Sequence, residues 1–192
     1  MTTPPIVSPQ EWEAALQRMR VKEKEQFRAR DALAAERRRM PWVAVEKQYE
    51  FIGPDGEASL LDLFDGRRQL IIYRAFFEPG VGGWPHHACR GCSMMADHVA
   101  NLAHLNARDT TLVFASRAPQ ADIKRVKARM GWHMPWYTIL PQRDGSDFDT
   151  DFGVDEWHRT NAFFTTATGC FALTSSTTAA TRRWGPHGAS ST

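Results

Sequence analysis

Cys89 and Cys92 stand two residues apart in the segment Trp84-Pro85-His86-His87-Ala88-Cys89-Arg90-Gly91-Cys92-Ser93, between a strand-like apolar run and a helix-like one. A thiolate, not a thiol, attacks a disulfide or peroxide, and the unpaired N–H groups and dipole of a helix start favour that negative charge. Two intervening residues let one sulfur attack a substrate while the other resolves the mixed disulfide, with Arg90 and His86 or His87 adding positive potential. The segment therefore predicts a redox-active dithiol, with Cys89 as attacking thiol and Cys92 as resolving thiol. The competing chemistry is metal binding, because His86, His87, Cys89, Cys92 and His98 offer nitrogen and sulfur donors suited to zinc or copper. A structural zinc site usually needs a second ligand pair, and the remaining cysteine, Cys170, stands alone. No metal or other cofactor is assigned. His98 and His133 read as ordinary helix-flank histidines rather than ligands.

Around this motif lie 192 residues with a formal charge of +2, enough for one domain that buries a core without disulfide staples. Three cysteines make no disulfide framework, and Met1-Thr2-Thr3-Pro4-Pro5 has neither the charged start nor the apolar run of a secretory signal. No apolar stretch approaches the roughly 20 residues that span a bilayer. The expectation is a cytoplasmic protein without a membrane partner. Between Arg18 and Arg39 nine Lys or Arg face four Asp or Glu. No aromatic interleaving accompanies that charge, so a solvated helix is expected rather than a nucleic-acid surface.

The elements that would carry the dithiol follow from period and punctuation. Ser8-Pro9-Gln10-Glu11 is a capping-box start, predicting a helix from near Pro9 toward Met40-Pro41. Strand-like pieces follow at Trp42–Val45 and Tyr49–Ile52, the latter turning through Gly53-Pro54-Asp55-Gly56 into Ala58–Leu61 as a hairpin. Gln69–Phe77 is continuously apolar enough for a central strand covered on both faces. A glycine- and proline-rich loop then leads to the cysteines, and Met95, Val99 and Leu102 predict one helix from Ser93 to near Asn106. Thr110–Ala115 is the next strand, Ile123, Val126 and Met130 stripe a helix between Pro119 and Gly131, and Trp136–Leu140 is a further strand. Strand, helix, strand, helix, strand gives parallel neighbours with helices on the faces, an α/β layered domain. Trp84, Trp132 and Trp136 either wall a groove beside the dithiol or fill the core.

Pro85 and Cys92 also match the peroxiredoxin pattern Pro-x-x-x-Thr-x-x-Cys, except that Cys89 replaces the threonine whose hydroxyl would help position a peroxide. Several separate blocks point elsewhere: Lys22-Glu23-Lys24-Glu25, Arg30-Asp31 with Leu33–Arg38, Pro41-Trp42-Val43, Tyr49 with Phe51, Cys89–Ser93 with Ala96-Asp97, Ser116-Arg117-Ala118-Pro119, Arg129–Trp132, Pro135-Trp136, Ser146-Asp147-Phe148 and Asp151-Phe152-Gly153-Val154. Together they resemble a family of bacterial thioredoxin-like proteins of formally unknown function, usually described as predicted dithiol-disulfide oxidoreductases. The resemblance implies a thioredoxin-like layered sheet with helices on both faces and an N-terminal helical extension. The resemblance covers about residues 8–160, and the chain is expected to divide into an extension at 1–41, a thioredoxin-like domain at 42–160 and an atypical low-complexity tail at 161–192. Such a domain should close with an antiparallel strand pair, introduced by a cis-proline, and a helix. Nothing after Asn161 supplies these by pattern, which suggests a reading-frame shift near residues 160–170.

Three functions are therefore expected in order: a dithiol-disulfide oxidoreductase using Cys89 and Cys92, a thiol peroxidase using Cys92, or a non-catalytic module binding a partner or metal. The partners of the first two are a disulfide or peroxide substrate and a thiol reductant.

Overall fold

The computed structural model describes residues 3–141, 148–152 and 158–176. Chain contacts separate two units, 1–41 and 42–192. The first is a single helix, α1 (Pro9–Arg38), 30 residues long and unbroken. Its capping box is closed as the sequence predicts: the Glu11 N–H donates to Ser8 Oγ at 3.3 Å and the Ser8 N–H donates to Glu11 Oε2 at 2.9 Å. None of its residues is buried, and its apolar side chains are too interrupted by charge to form one continuous stripe.

The second unit is built on one sheet of eight described strands: β1 (Val43–Ala44), β2 (Glu50–Gly53), β3 (Gly56–Ser59), β4 (Gln69–Arg74), β5 (Thr110–Ser116), β6 (Trp136–Ile139), β7 (Arg159–Thr166) and β8 (Gly169–Ser176). They lie in the order β1-β8-β7-β4-β5-β6-β2-β3. Neighbours β4, β5 and β6 are parallel, as the alternation with helices requires, and the other pairs are antiparallel. The helices are α2 (Arg90–Asp97), α3 (Ala103–Asn106), α4 (Gln120–Met130) and α5 (Phe148–Asp151).

Strand alternation divides the core in two. Leu70 and Ile72 of β4 pack with Phe51, Val113, Ala115, Ile139, Phe163 and the α5 residue Phe148. Tyr73 points to the opposite side and joins Phe114 and Trp136 beneath Cys92 and Ala96 of α2 and Ile123 and Val126 of α4. The molecule is thus α/β and thioredoxin-like, a layered sheet with helices on both faces and an N-terminal helical extension.

The structure corrects the sequence reading in several places. The helix expected from Ser93 to Asn106 starts earlier, at Arg90, and breaks after Asp97. His98 closes α2 with its ring nitrogen 2.6 Å from the Met94 carbonyl, and the Asn101 side chain accepts the Ala103 N–H at 2.8 Å to begin α3. Met130, expected in the stripe of α4, is 43% exposed because the helix ends there, with Gly131 in the left-handed region at φ 70°.

The largest correction concerns residues 161–176, read as tail. They form most of β7 and β8, the antiparallel pair that the sequence pattern does not reveal. β7 pairs with β4 from Arg159↔Arg74 to Phe164↔Gln69, so Phe163 enters the core, while Phe164 turns the other way to meet Trp42 at 5.3 Å. Cys170, far from being an isolated tail residue, is buried in β8. The sequence has no proline between Pro141 and Pro186, so none introduces β7; among the described residues the cis bond is Trp84–Pro85. The Ser146-Asp147 and Gly153-Val154 blocks and the segment after Ser176, where a closing helix would fall, lie outside the described residues.

Candidate active site

The dithiol sits where β4 hands the chain to α2. β4 ends at Arg74; the Ala75 N–H still pairs with the Ala115 carbonyl at 2.8 Å, but the next N–H, of Phe76, leaves the ladder and donates to Cys92 Sγ at 3.2 Å. After the loop, Cys89 is the N-cap of α2 and Cys92 its third residue, so both sulfurs meet the helix start predicted from their spacing. The Ser93 N–H and hydroxyl both donate to the Cys89 carbonyl at 2.9 Å, fixing the turn that carries the pair.

The two thiols have opposite environments. Cys89 is half-buried, and its pKa is lowered to about 6, chiefly by the Cys92 thiol, which donates to its sulfur. Burial opposes the shift, and the N–H groups of Cys92 and Gly91 reinforce it, although no strict side-chain capping bond closes at Cys89. These are the groups that act on Cys89, rather than Arg90, His86 and His87, which are solvent-exposed. Cys92 is 0% exposed, and its thiol is pushed up by its bond to Cys89, by burial and by the Cys89 charge, against the lowering influence of the Phe76 N–H and the Tyr73 hydroxyl. Tyr73 Oη lies 3.6 Å from Cys92 Sγ. Sequence alone points to neither donor, though Tyr73 occupies the face of β4 that turns toward the helix carrying the cysteines.

The indoles are core rather than groove. Trp84, Trp132 and Trp136 are all buried with Phe77, whose ring lies 5.1 Å from Trp84 and 4.9 Å from Trp136. Trp132 Nε1 donates to Asp97 Oδ1 at 2.8 Å, tying the end of α2 to the turn after α4. Arg129 reaches the Pro85 carbonyl at 3.3 Å and braces the loop before Cys89. Among the described residues no three His, Cys, Asp or Glu side chains converge as a metal site would require, so the donors at His86, His87, Cys89, Cys92 and His98 do not form one cluster.

On the other face, at the same end of β4, Arg74 is buried in an ion cluster. Its Nε and Nη2 donate to Asp149 Oδ1 and Oδ2 at 2.9 and 2.6 Å, and Nη2 also donates to Glu78. Arg117 Nε adds a 2.9 Å bond to Asp149 Oδ2. Asp149 therefore holds together the ends of β4 and β5 and the start of α5.

The chain thus presents a thioredoxin-like sheet with a Cys-x-x-Cys pair at the N-terminus of the helix after its central strand. The chain belongs to the family described as "Bacterial protein of unknown function (DUF899)", which matches residues 1–181. That match runs through residues 160–170, where the sequence pattern suggests a frame shift, and nothing supports such a shift. No curated protein matches the chain. Among solved structures it is similar to peroxiredoxin Q of Xanthomonas campestris, at 11% identity and a TM-score of 0.45 over 71% of this chain and 84% of that one. It is likewise similar to a protein assigned as the thiol:disulfide interchange protein DsbE of Chlorobium tepidum, at 14% identity and a TM-score of 0.43 over the same shares. Among the described residues no helix is long and apolar enough to cross a membrane.

Proposed function

We propose that the protein is a dithiol-disulfide oxidoreductase in which Cys89 attacks and Cys92 resolves. One observation carries this reading: the half-buried Cys89 is held toward thiolate while the fully buried Cys92 is held as thiol. The Cys89 thiolate attacks one sulfur of a substrate disulfide and releases the other as thiolate. Cys92 then gives up its proton and attacks Cys89 Sγ, the mixed disulfide breaks, and the second substrate sulfur departs and is protonated. The substrate gains two electrons and the enzyme is left with a Cys89–Cys92 disulfide, which a thiol reductant resets. The cytoplasm expected from sequence would supply such a reductant.

A peroxidase using Cys92 fits less well. It asks the buried, protonated sulfur to meet peroxide first, and Cys89 stands where the threonine of that pattern would be. Insulin reduction by the purified protein with a dithiol reductant distinguishes the two. The expected result is loss of activity in Cys89→Ser and a persistent mixed disulfide in Cys92→Ser. Peroxide consumption that depends on Cys92 but survives Cys89→Ser would overturn the proposal.

A further inference from the structure

We propose that the Tyr73 hydroxyl, acting with the Phe76 amide, receives the Cys92 thiolate as it forms, so that Tyr73 governs the resolving step and leaves the first attack unaffected. This rests on the dithiol reading above. The geometry that points to it is a sulfur approached by two donors and standing one helical turn from its redox partner: Phe76 N–H at 3.2 Å, Tyr73 Oη at 3.6 Å, and Cys89 at the N-cap of α2. The Tyr73 ring is fixed, because it packs 4.9 Å from Phe114 and is itself buried. Among the described residues these are the two hydrogen-bond donors that reach the Cys92 sulfur, in a cluster otherwise lined by apolar and aromatic side chains.

Timing follows from what holds Cys92 protonated. In the reduced pair, the leading influence is the hydrogen bond from Cys92 to the Cys89 sulfur, reinforced by burial and by the Cys89 charge. Once Cys89 is covalently bound to a substrate sulfur it carries no charge, and both of its influences disappear. Burial alone then opposes ionisation, and the two donors remain to favour it. Cys92 is thus kept inert while Cys89 is free and becomes able to react when Cys89 is occupied. In that step the Cys92 S–H proton passes to solvent or to the departing substrate thiolate. The Cys92–Cys89 bond forms as the Cys89–substrate bond breaks, and Tyr73 keeps its own proton throughout. Burial, then the proximity of Cys92 and Cys89, pushes the Tyr73 hydroxyl up, which suits a donor and not a base.

Rapid mixing of fully reduced protein with a chromogenic aromatic disulfide separates the two steps, since each releases one chromophoric thiolate. In Tyr73→Phe the first release should keep its rate, while the second slows by about tenfold, as expected when a hydrogen bond to a charged sulfur is removed. An independent readout uses the Cys89→Ala background. There the ultraviolet thiolate absorbance of Cys92 should titrate at higher pH when Tyr73→Phe is added than when Tyr73 is kept. Equal slowing of both releases, or an unchanged second release with an unchanged Cys92 titration, overturns the role of Tyr73 and leaves the dithiol reading intact. Absence of any first release from the wild-type protein, with Cys89 unreactive, overturns both.

Discussion

Adjacent residues of one strand, Tyr73 and Arg74, serve two sides of the sheet that are built on different physics. Tyr73 faces an apolar, aromatic compartment in which a single hydroxyl and a single amide approach a sulfur. Arg74 faces an ion cluster in which one carboxylate, Asp149, joins three segments. The first compartment surrounds its sulfur with uncharged donors and apolar side chains, so ionisation of a thiol can be adjusted. The second pairs its charges and holds the strand ends in place. Reactivity and rigidity are thereby separated by the thickness of a β-strand.

The sharpest way to break that contrast is chemical. Alkylation of Cys89 in the reduced protein should be half-maximal at about pH 6, instead of near the ordinary thiol value of about 8.5. Below pH 6 the thiolate is protonated and the rate should fall about tenfold per pH unit; a midpoint above pH 8 would show that the pair is not poised. Asp149→Ala attacks the opposite compartment and leaves the 4%-exposed Arg74 side chain with its principal partner gone. Denaturant unfolding should register a loss of about 3–5 kcal/mol, with the Cys89 alkylation midpoint unmoved if the two faces are independent. Trp132→Phe removes the indole bond to Asp97 while keeping most of the packing. It should cost about 1 kcal/mol in the same measurement. Met130→Ala, at the exposed end of α4, should change stability by less than about 0.5 kcal/mol, whereas Ile123→Ala on the buried side of that helix should cost about 2–5 kcal/mol.

Features whose cause is local were legible in the chain. Ser8 and Glu11 close their box as spacing predicts, Gly131 stops α4, the apolar run at Leu70–Tyr73 is the central strand, and the cysteines occupy a helix start. What escaped depends on long-range pairing. β7 and β8 carry no clean apolar alternation, and Thr160, Thr165, Thr166 and Thr174 look like low-complexity sequence; β-branched residues nevertheless suit a pleated surface once β4 offers an edge. The break between α2 and α3 depends on which polar side chains cap, a choice between competing local bonds that apolar period does not express. The candidate site was half legible. The sulfurs follow from sequence, but their inequality comes from the bond between them and the burial of Cys92, and it is tempered by Tyr73, 19 positions upstream of Cys92, and by a backbone amide that has no side-chain signature.

The aromatic packing beside the cysteines has an optical consequence. Of seven tryptophans in the chain, Trp84, Trp132 and Trp136 share one cluster with Cys92, and Trp132 and Trp136 lie 5.9 Å apart, close enough for excitation to migrate between them. Sulfur in its disulfide form is an efficient quencher of a nearby indole. Conversion of the dithiol to a disulfide should therefore dim the intrinsic emission, which would make that emission a label-free readout of the proposed redox step.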